Sequence, residues 1–396
     1  MFQLSKAMLD DFREATRRWL EEHCPASMRT PPSDGDDGVW GGKKSAPLEP
    51  DARAWLDAMA SRGWTAPTWP KQYGGGGLSH EEAGVLREEL KRLGCRPPIK
   101  SLGIWMFGPA LLKYGSEEQK LEHIPKIVRG EIRWCQGYSE PEAGSDLAGL
   151  RLRAVLDGDD YVLDGRKIWT SHANLSDWMF CLVRTDPDVP KHQGISFLLV
   201  DMTSPGISVR PIPLISGASP FCETLFENVR VPARNLVGVV NQGWEVAKVV
   251  LEHERALISE MRDARSSEGD SLEDVARASG ALEDPILRDR VTGVNIDLLA
   301  SRLTVRRALE TAKVRGTPGP ETSMLKLSGT ETSKRRFELL VALMGYRGLG
   351  WSGEPFAAKE LALTRSWLRS RASSIEGGTS EIQLNIIAKR VLGLPD

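Results

Sequence analysis

The sequence has few cysteines and histidines, no long apolar run and no excess of charge of one sign. Its five cysteines lie far apart and form no Cys-x-x-Cys pair, so we expect neither a disulfide framework nor a zinc knuckle. The six histidines have no spacing suited to a metal site. No run reaches the roughly 18 apolar residues of a transmembrane helix. The net charge of −2 does not favour nucleic acid or an anionic membrane as a partner.

The first 24 residues carry a charge every few positions and contain no apolar signal core. Together with the scattered cysteines, this predicts a reducing, cytoplasmic location. A length of 396 residues predicts two or three domains at roughly 100–200 residues each.

Hydrophobic spacing divides the chain into a helical part, a β part and a second helical part. The predicted helices are a first amphipathic helix within 1–24, then 51–62, 79–93, 101–114, 117–129, 243–262, 285–315, 322–344, 356–369 and 380–392. The predicted strands are 152–156, 161–165, 179–184, 195–201 and 224–231, with a hairpin turn at 157–160. We therefore predict an N-terminal helical domain (1–133), a middle β-barrel or sandwich domain (134–240) and a C-terminal helical bundle (241–396).

Several catalytic motifs begin in this sequence but are not completed. His253 and Glu254 start a His-Glu-x-x-His pattern, but Leu257 stands where the second zinc ligand belongs. No Gly-x-Ser-x-Gly nucleophile elbow occurs. The glycine run at 74–77 lacks the spacing of a dinucleotide-binding loop and is interpreted as a turn.

A polar loop, WCQGYSEPEAGSDL at 134–147, joins the first helical part to the β part. Ser139 and Ser145 offer hydroxyls that can donate or accept hydrogen bonds, and Gly144 allows a ligand close to the backbone. Taken alone, the segment could equally be an ordinary interdomain loop.

The segment DGRKIWTSHANLSDW, 164–178, places Trp169 in a strand-like stretch beside small hydroxyl residues. An indole there can pack on a planar ring, and Ser171 can hydrogen-bond the heteroatoms of that ring. Taken alone, a tryptophan of the hydrophobic core is the simpler interpretation.

The C-terminal segment SSIEGGTSEIQLNIIAKRVLGLP, 373–395, predicts a helix preceded by two glycines. Thr379 or Ser380 can cap that helix, and Ser380 with Gln383 has the spacing of a capping box. A helix N-terminus is suited to a phosphate or carbonyl oxygen, although a simply capped helix is a common alternative.

Together these segments resemble the acyl-CoA dehydrogenase family. The resemblance rests on YSEPEAGSD, on GDDYVLDGRKIWTSHANLSDW, on IEGGTSEIQLNIIAKRVLG and, more weakly, on WPKQYGG at 69–75. Their order and spacing cover nearly the whole chain. WCQGYSEPEAGSD, with GPETSMLKLSGTE at 319–331, is most similar to the bacterial branch that acts on dicarboxylic (pimeloyl-CoA), steroid-derived or other bulky acyl-CoAs.

The resemblance implies an α+β multidomain fold with a C-terminal four-helix bundle, and FAD at the domain interface of a dimer or tetramer. It also implies electron-transfer flavoprotein as acceptor. Carried over by position, it assigns cofactor contacts to the following residues: Ser139, Ser145, Trp169, Ser171, Thr379 and Glu381. The substrate would meet Ser145, Arg255 and Gly377, with Arg255 orienting and the Gly377 N–H holding the thioester oxygen.

The reaction implied is α,β-dehydrogenation, in which a base takes the α-proton and flavin N5 takes the β-hydride. Many family members carry the base directly before Gly-Thr of the C-terminal signature, where this chain has Gly377. A second subclass carries it in Leu-x-x-Glu-Arg, which matches LEHER at 251–255 and assigns the base to Glu254. Independently, the helical neighbours of Glu254 are apolar, as expected of a carboxylate with a function: Val250, Leu251, Leu257 and Ile258. Glu376 is the reserve candidate.

The sequence departs from the family at two motifs. An arginine–phenylalanine motif that reaches the adenine half of FAD is not visible in 262–280, and Ala342 replaces a common glutamine. We therefore also expect a heteromer with a related subunit as an alternative to a homo-oligomer. Two other functions stay open, namely a same-fold flavin oxidase or hydroxylase and a supporting subunit without FAD. Gly377 leaves room beside the α-carbon, which predicts that bulky or branched acyl groups are accepted.

Overall fold

The structure is a computed structural model that describes residues 6–31, 38–266, 272–315, 319–320 and 322–395, without the side chains of 255–266, 309 and 312–315. The chain divides into two compact units, Met1–Ile212 with Pro220–Leu251, and Pro213–Ser219 with Glu252–Asp396. Within the described ranges, no helix is both long and apolar enough to cross a membrane.

The first unit begins with helices and continues into a sheet. Its helices are α1 (Lys6–His23), α2 (Pro50–Ser61), α3 (His80–Leu93), α4 (Gly108–Tyr114) and α5 (Glu117–Val128), with a π-helical turn at Gly103–Phe107. Its strands are β1 (Trp134–Gly137), β2 (Arg153–Asp157), β3 (Asp160–Ser171), β4 (Trp178–Arg184), β5 (Ile195–Asp201), β6 (Ile207–Ile212) and β7 (Phe221–Pro232).

Local sequence sets where two of these helices begin. Ser79 accepts a hydrogen bond from the Glu82 N–H at 3.1 Å, and the Glu82 carboxylate accepts one from the Ser79 N–H at 2.8 Å. Ser116 and Gln119 form the same reciprocal pair at the start of α5. Each pair satisfies two backbone donors that the first helical turn leaves without partners.

The strands form one seven-stranded sheet in the order β1-β4-β2-β3-β7-β6, with β5 paired to β4. Because β2 and β3 pair antiparallel through the turn at 158–159, the predicted hairpin is confirmed. β4 and β5 are buried almost continuously along their length. Phe107, from the helical part, stacks on Phe180 and Phe197 at centroid distances of 5.2 and 6.3 Å, so both faces of these strands are covered.

The second unit is helical. α6 (Gly243–Ser266) begins in the first unit and ends in the second, and α7 (Leu272–Ala278), α8 (Pro285–Arg315), α9 (Thr322–Leu343), α10 (Ala358–Ser370) and α11 (Ser380–Ile386) follow, with a π-helical turn at Ile387–Val391. α9 packs against α8, α10 and α11. The buried side chains of this core include Ala276, Val291 and Leu340.

The predicted order of helical, β and helical parts is confirmed. The prediction missed β1, β6 and α7, which are short. It also treated 101–114 and 380–392 as regular α-helices, whereas each contains a π-helical turn. The strand predicted at 161–165 extends to Ser171, and this extension carries Trp169.

An ion-pair cluster joins α1 to α3. Glu89 is only 2% exposed, and its carboxylate accepts hydrogen bonds from Arg17 at 3.0 Å and from Arg92 at 2.6 Å. Hydrogen bonds from these guanidinium groups, of which the one from Arg17 has the largest effect, lower the pKa of Glu89 to about 2.

We expect this cluster to make the protein sensitive to acid. Because the pKa of Glu89 is lowered on folding, its contribution is present above the ordinary pKa of 4.5 and is lost as the pH falls towards 2. The shift corresponds to about 3 kcal/mol. Urea unfolding at a series of pH values should show that Glu89→Gln is less stable than wild type at about pH 7. Between about pH 5 and pH 2, the variant should lose less stability than wild type does. Equal slopes for the two proteins would contradict the assignment.

Candidate active site

The loop that contains Ser139 is held directly against β3. The backbone N–H of Ile168 donates a hydrogen bond to the Ser139 carbonyl at 2.9 Å, so Ser139 lies beside the residue that precedes Trp169. The Ser139 side chain is half-buried. The structure therefore joins two segments that the sequence analysis selected separately.

Trp169 occupies an irregularity in the sheet. The pairing of β3 with β7 shifts register between Lys167 and Thr170, as at a β-bulge, and Trp169 has a φ of 60°. A bulky residue in this left-handed region is strained by roughly 1–3 kcal/mol, and such strain concentrates at functional sites.

The bulge turns the indole of Trp169 towards solvent. Trp169 is 52% exposed, and its ring packs edge-on against the ring of Phe221 at a centroid distance of 6.1 Å. The simpler interpretation of a core tryptophan is therefore wrong for Trp169. Ser171 follows on the same strand, half-buried and paired with Phe221 across the ladder.

These residues fit a planar, heteroatom-edged ring such as that of a flavin. The half-buried side chains of Ser139 and Ser171 offer hydroxyls to such a ring, while the Trp169 indole offers an exposed aromatic face. The side chain of Ser145 is exposed further along the loop, and no described contact joins it to the other three residues.

Two buried charges beneath this loop were not singled out by the sequence analysis. Lys167 is fully buried and pairs with Glu140, which is 8% exposed, at 2.8 Å. In the sequence, a lysine in a β-strand and a glutamate in a polar loop both look solvent-exposed. Only the packing of this loop against β3 shows that both side chains are buried.

In the second unit, the C-terminal signature forms a glycine turn and a capped helix. Gly377 and Gly378 have φ values of 65° and 92°, which glycine adopts without strain. Thr379 caps α11 by accepting a hydrogen bond from the Ile382 N–H at 3.3 Å. Glu381 is exposed in the first turn, and its own backbone N–H and the Thr379 hydroxyl lower its pKa.

The predicted capping box of Ser380 and Gln383 is wrong, because Thr379 takes the capping position. The Gln383 side chain is buried instead, and its amide donates to the carbonyls of Gly377 and Gly378 at 3.4 and 3.3 Å. It thereby ties α11 to the turn that precedes it.

The two candidate bases have different surroundings. Glu254 is half-buried on α6, and the neighbouring Glu252 is exposed. Glu376 has a 44% exposed side chain and accepts a hydrogen bond from Arg369 at 2.6 Å. The side chain of Arg255 lies outside the described residues.

Comparison with known proteins shows which family has this architecture. Sequence profiles of the N-terminal, middle and C-terminal domains of acyl-CoA dehydrogenases match residues 9–131, 135–229 and 241–392. Acyl-CoA dehydrogenase IpdE1 of Mycobacterium tuberculosis is 35% identical over 388 residues, which is 98% of each chain.

Solved structures are similar over the whole chain as well. The Tcur3481-Tcur3483 steroid ACAD superposes with a TM-score of 0.76 at 33% identity, covering all of both chains. The ChsE4-ChsE5 complex from Mycobacterium tuberculosis has a TM-score of 0.70 at 29% identity, also with full coverage.

The chain belongs to the acyl-CoA dehydrogenase family. It is therefore an oxidoreductase with FAD as its cofactor, and the predicted likeness to the steroid-type bacterial branch is confirmed. The domain boundaries at 133/134 and 240/241 and the roles of individual residues stay predictions.

Proposed function

We propose that this chain catalyses the α,β-dehydrogenation of an acyl-CoA thioester with a bulky, branched or dicarboxylic acyl group. The observation that supports it most is that Trp169 is exposed and strained. On β3 it lies two residues before Ser171 and directly after Ile168, whose N–H binds the Ser139 carbonyl. A protein has little reason to hold an exposed indole in a strained conformation unless a ligand covers it.

Ser139, Trp169 and Ser171 hold FAD in this proposal, together with Ser145, Thr379 and Glu381. When bound, FAD supplies the two-electron acceptor that takes the hydride from the β-carbon. The two serine hydroxyls hydrogen-bond the polar edge of the ring, and the indole excludes water from it.

Glu254 takes the α-proton. A half-buried carboxylate is better suited to this role than an exposed one, because bulk water is partly excluded from it. Glu376 is less suited, since its carboxylate is exposed and paired with Arg369. The Gly377 N–H donates to the thioester oxygen, and Arg255 orients the substrate.

The acyl group is proposed from two observations. Gly377 carries no side chain where many family members carry a glutamate, which leaves space near the α-carbon. A relative that is 33% identical over its full length bears the description steroid ACAD. Both favour ring-containing or branched acyl groups over short straight chains.

The test is an anaerobic titration of the purified flavoprotein with a panel of acyl-CoAs, followed by flavin absorption. We expect bleaching by a steroid side-chain or 2-methyl-branched acyl-CoA at concentrations at least tenfold lower than by butyryl-CoA (about 1.4 kcal/mol). A strict preference for butyryl-CoA would contradict the proposed acyl group. Bleaching by no thioester would favour the oxidase or hydroxylase alternative, and a colourless protein would favour a supporting subunit.

The proposed partners are electron-transfer flavoprotein as acceptor and either a second copy of this chain or a related subunit. One solved structure that resembles this chain, the ChsE4-ChsE5 complex, bears the names of two components. Light scattering of the protein expressed alone should give a dimer or tetramer that carries FAD. A monomer lacking FAD that gains it with a related chain would favour the heteromer.

A further inference from the structure

A buried ion pair lies directly beneath the proposed flavin contacts. Lys167 is fully buried on β3, two residues before Trp169, and its ammonium group donates to the Glu140 carboxylate at 2.8 Å and to the Tyr138 carbonyl at 2.9 Å. Lysine is rarely buried to this degree, because removing its charge from water is costly.

Glu140 is held as firmly as its partner. Its carboxylate also accepts hydrogen bonds from the backbone N–H groups of Arg151 at 2.6 Å and Leu152 at 2.9 Å. Its own backbone closes a tight turn with Ala143 through two hydrogen bonds of 3.1 and 3.0 Å. The two side chains therefore make four hydrogen bonds, whose directionality fixes geometry more strictly than apolar packing does.

The contacts of Lys167 enclose Ser139. The ammonium group binds the residue on either side of Ser139, namely Tyr138 and Glu140, and the next residue of β3, Ile168, binds the Ser139 carbonyl. The donors of these hydrogen bonds belong to β3, which also carries the bulge at Trp169, and the acceptors belong to the loop.

We infer that Lys167 and Glu140 are positioning residues, which set Ser139 on the loop relative to Trp169 on the β3 bulge so that both can contact the flavin. The inference rests on the proposed flavin contacts of Ser139 and Trp169. A buried charge pair suits this task because a small displacement of either segment breaks several charge-assisted hydrogen bonds at once.

The test compares Lys167→Met with Val231→Ala. Val231 is buried in the same sheet and pairs with Tyr161 near the opposite end of β3, so its truncation destabilises the sheet away from the loop. FAD is removed from each holoprotein, and its dissociation constant is measured by fluorescence well below the unfolding temperature of the variant. The visible circular dichroism of the protein saturated with FAD is recorded as well.

Lys167→Met should raise the FAD dissociation constant about tenfold or more and change the visible dichroism, because the uncompensated Glu140 displaces the loop. Val231→Ala should lower the unfolding temperature without either change. An equal loss of FAD affinity in both variants, or none in Lys167→Met, would overturn the inference.

Glu140→Gln is the second variant if Lys167→Met does not fold. It keeps the side-chain volume and the Lys167 bond to Tyr138, and it should weaken FAD binding about threefold or more. Hydrogen exchange at the Ile168 amide, measured without FAD, should also be faster than in wild type. Wild-type values for both quantities would reject the positioning role.

Ser139→Ala and Trp169→Ala separate this inference from the proposed function. If these two variants weaken FAD binding and the ion-pair variants do not, only the positioning role fails. If neither Ser139→Ala nor Trp169→Ala weakens FAD binding, the proposed flavin contacts are wrong.

Discussion

Glu254→Gln should lower the rate of acyl-CoA dehydrogenation by about 10²–10⁴-fold while the protein keeps its FAD. Glutamine has nearly the shape of glutamate but cannot accept the α-proton, so the effect falls on turnover. The measurement is the rate of flavin reduction after rapid anaerobic mixing with a saturating acyl-CoA. Exchange of the α-hydrogen of a bound, non-oxidisable thioester with deuterated water should be lost in parallel.

Two variants of the same kind serve as controls for Glu254→Gln. Glu252→Gln alters an exposed carboxylate on the same helix and should keep near-normal turnover. Glu376→Gln removes the charge of the carboxylate that Arg369 binds and should change turnover only modestly. Near-normal activity in Glu254→Gln together with a large loss in Glu376→Gln would transfer the role of base to Glu376.

Trp169→Ala should raise the FAD dissociation constant about 10–100-fold. The exposed half of the indole is the apolar surface that the cofactor would cover, and burial at about 25 cal/mol per Å² makes its loss worth about 1.5–3 kcal/mol. Fluorescence titration of the FAD-free protein measures the change. Unfolding of the same FAD-free protein should change little, because half of the removed residue's surface is already exposed.

The controls for Trp169 separate ring contact from general surface change. Trp169→Phe keeps an aromatic face and should retain most of the affinity. Leu156→Ala removes an exposed apolar side chain from β2 and should leave FAD binding unchanged. An unchanged affinity in Trp169→Ala would show that the indole is not a cofactor contact.

Local signals predicted most of the secondary structure. Turn residues bracket a mostly apolar run at Ile195–Asp201, and the prediction of β5 has the observed bounds. α3 and α5 were predicted to within about a residue, because a serine cap and a following glutamate or glutamine mark each start. The missed helix, α7, has only seven residues and depends on burial of Leu272 and Ala276 in the core of the second unit.

The candidate site was predicted unevenly. The motifs identified Ser139, Trp169, Ser171 and Thr379 without indicating which of them lie together. The exposure of Trp169 depends on a register shift against β7, a strand that follows about fifty residues later in the chain. Gln383 was assigned to a capping box, but the choice of Thr379 as cap leaves its amide to bind the glycine turn.

The sequence by itself determined the order of helical, β and helical parts, the family and the hallmark residues, because each depends on short stretches read in order along the chain. Only the tertiary structure decided that Trp169 points to solvent, that Ser139 lies against β3 and that Lys167 is buried with Glu140. These arrangements depend on pairing between strands and loops distant in sequence, where a change of one position reverses which side chains face the core. The exposure of Trp169 is thus a property of strand register as much as of residue identity.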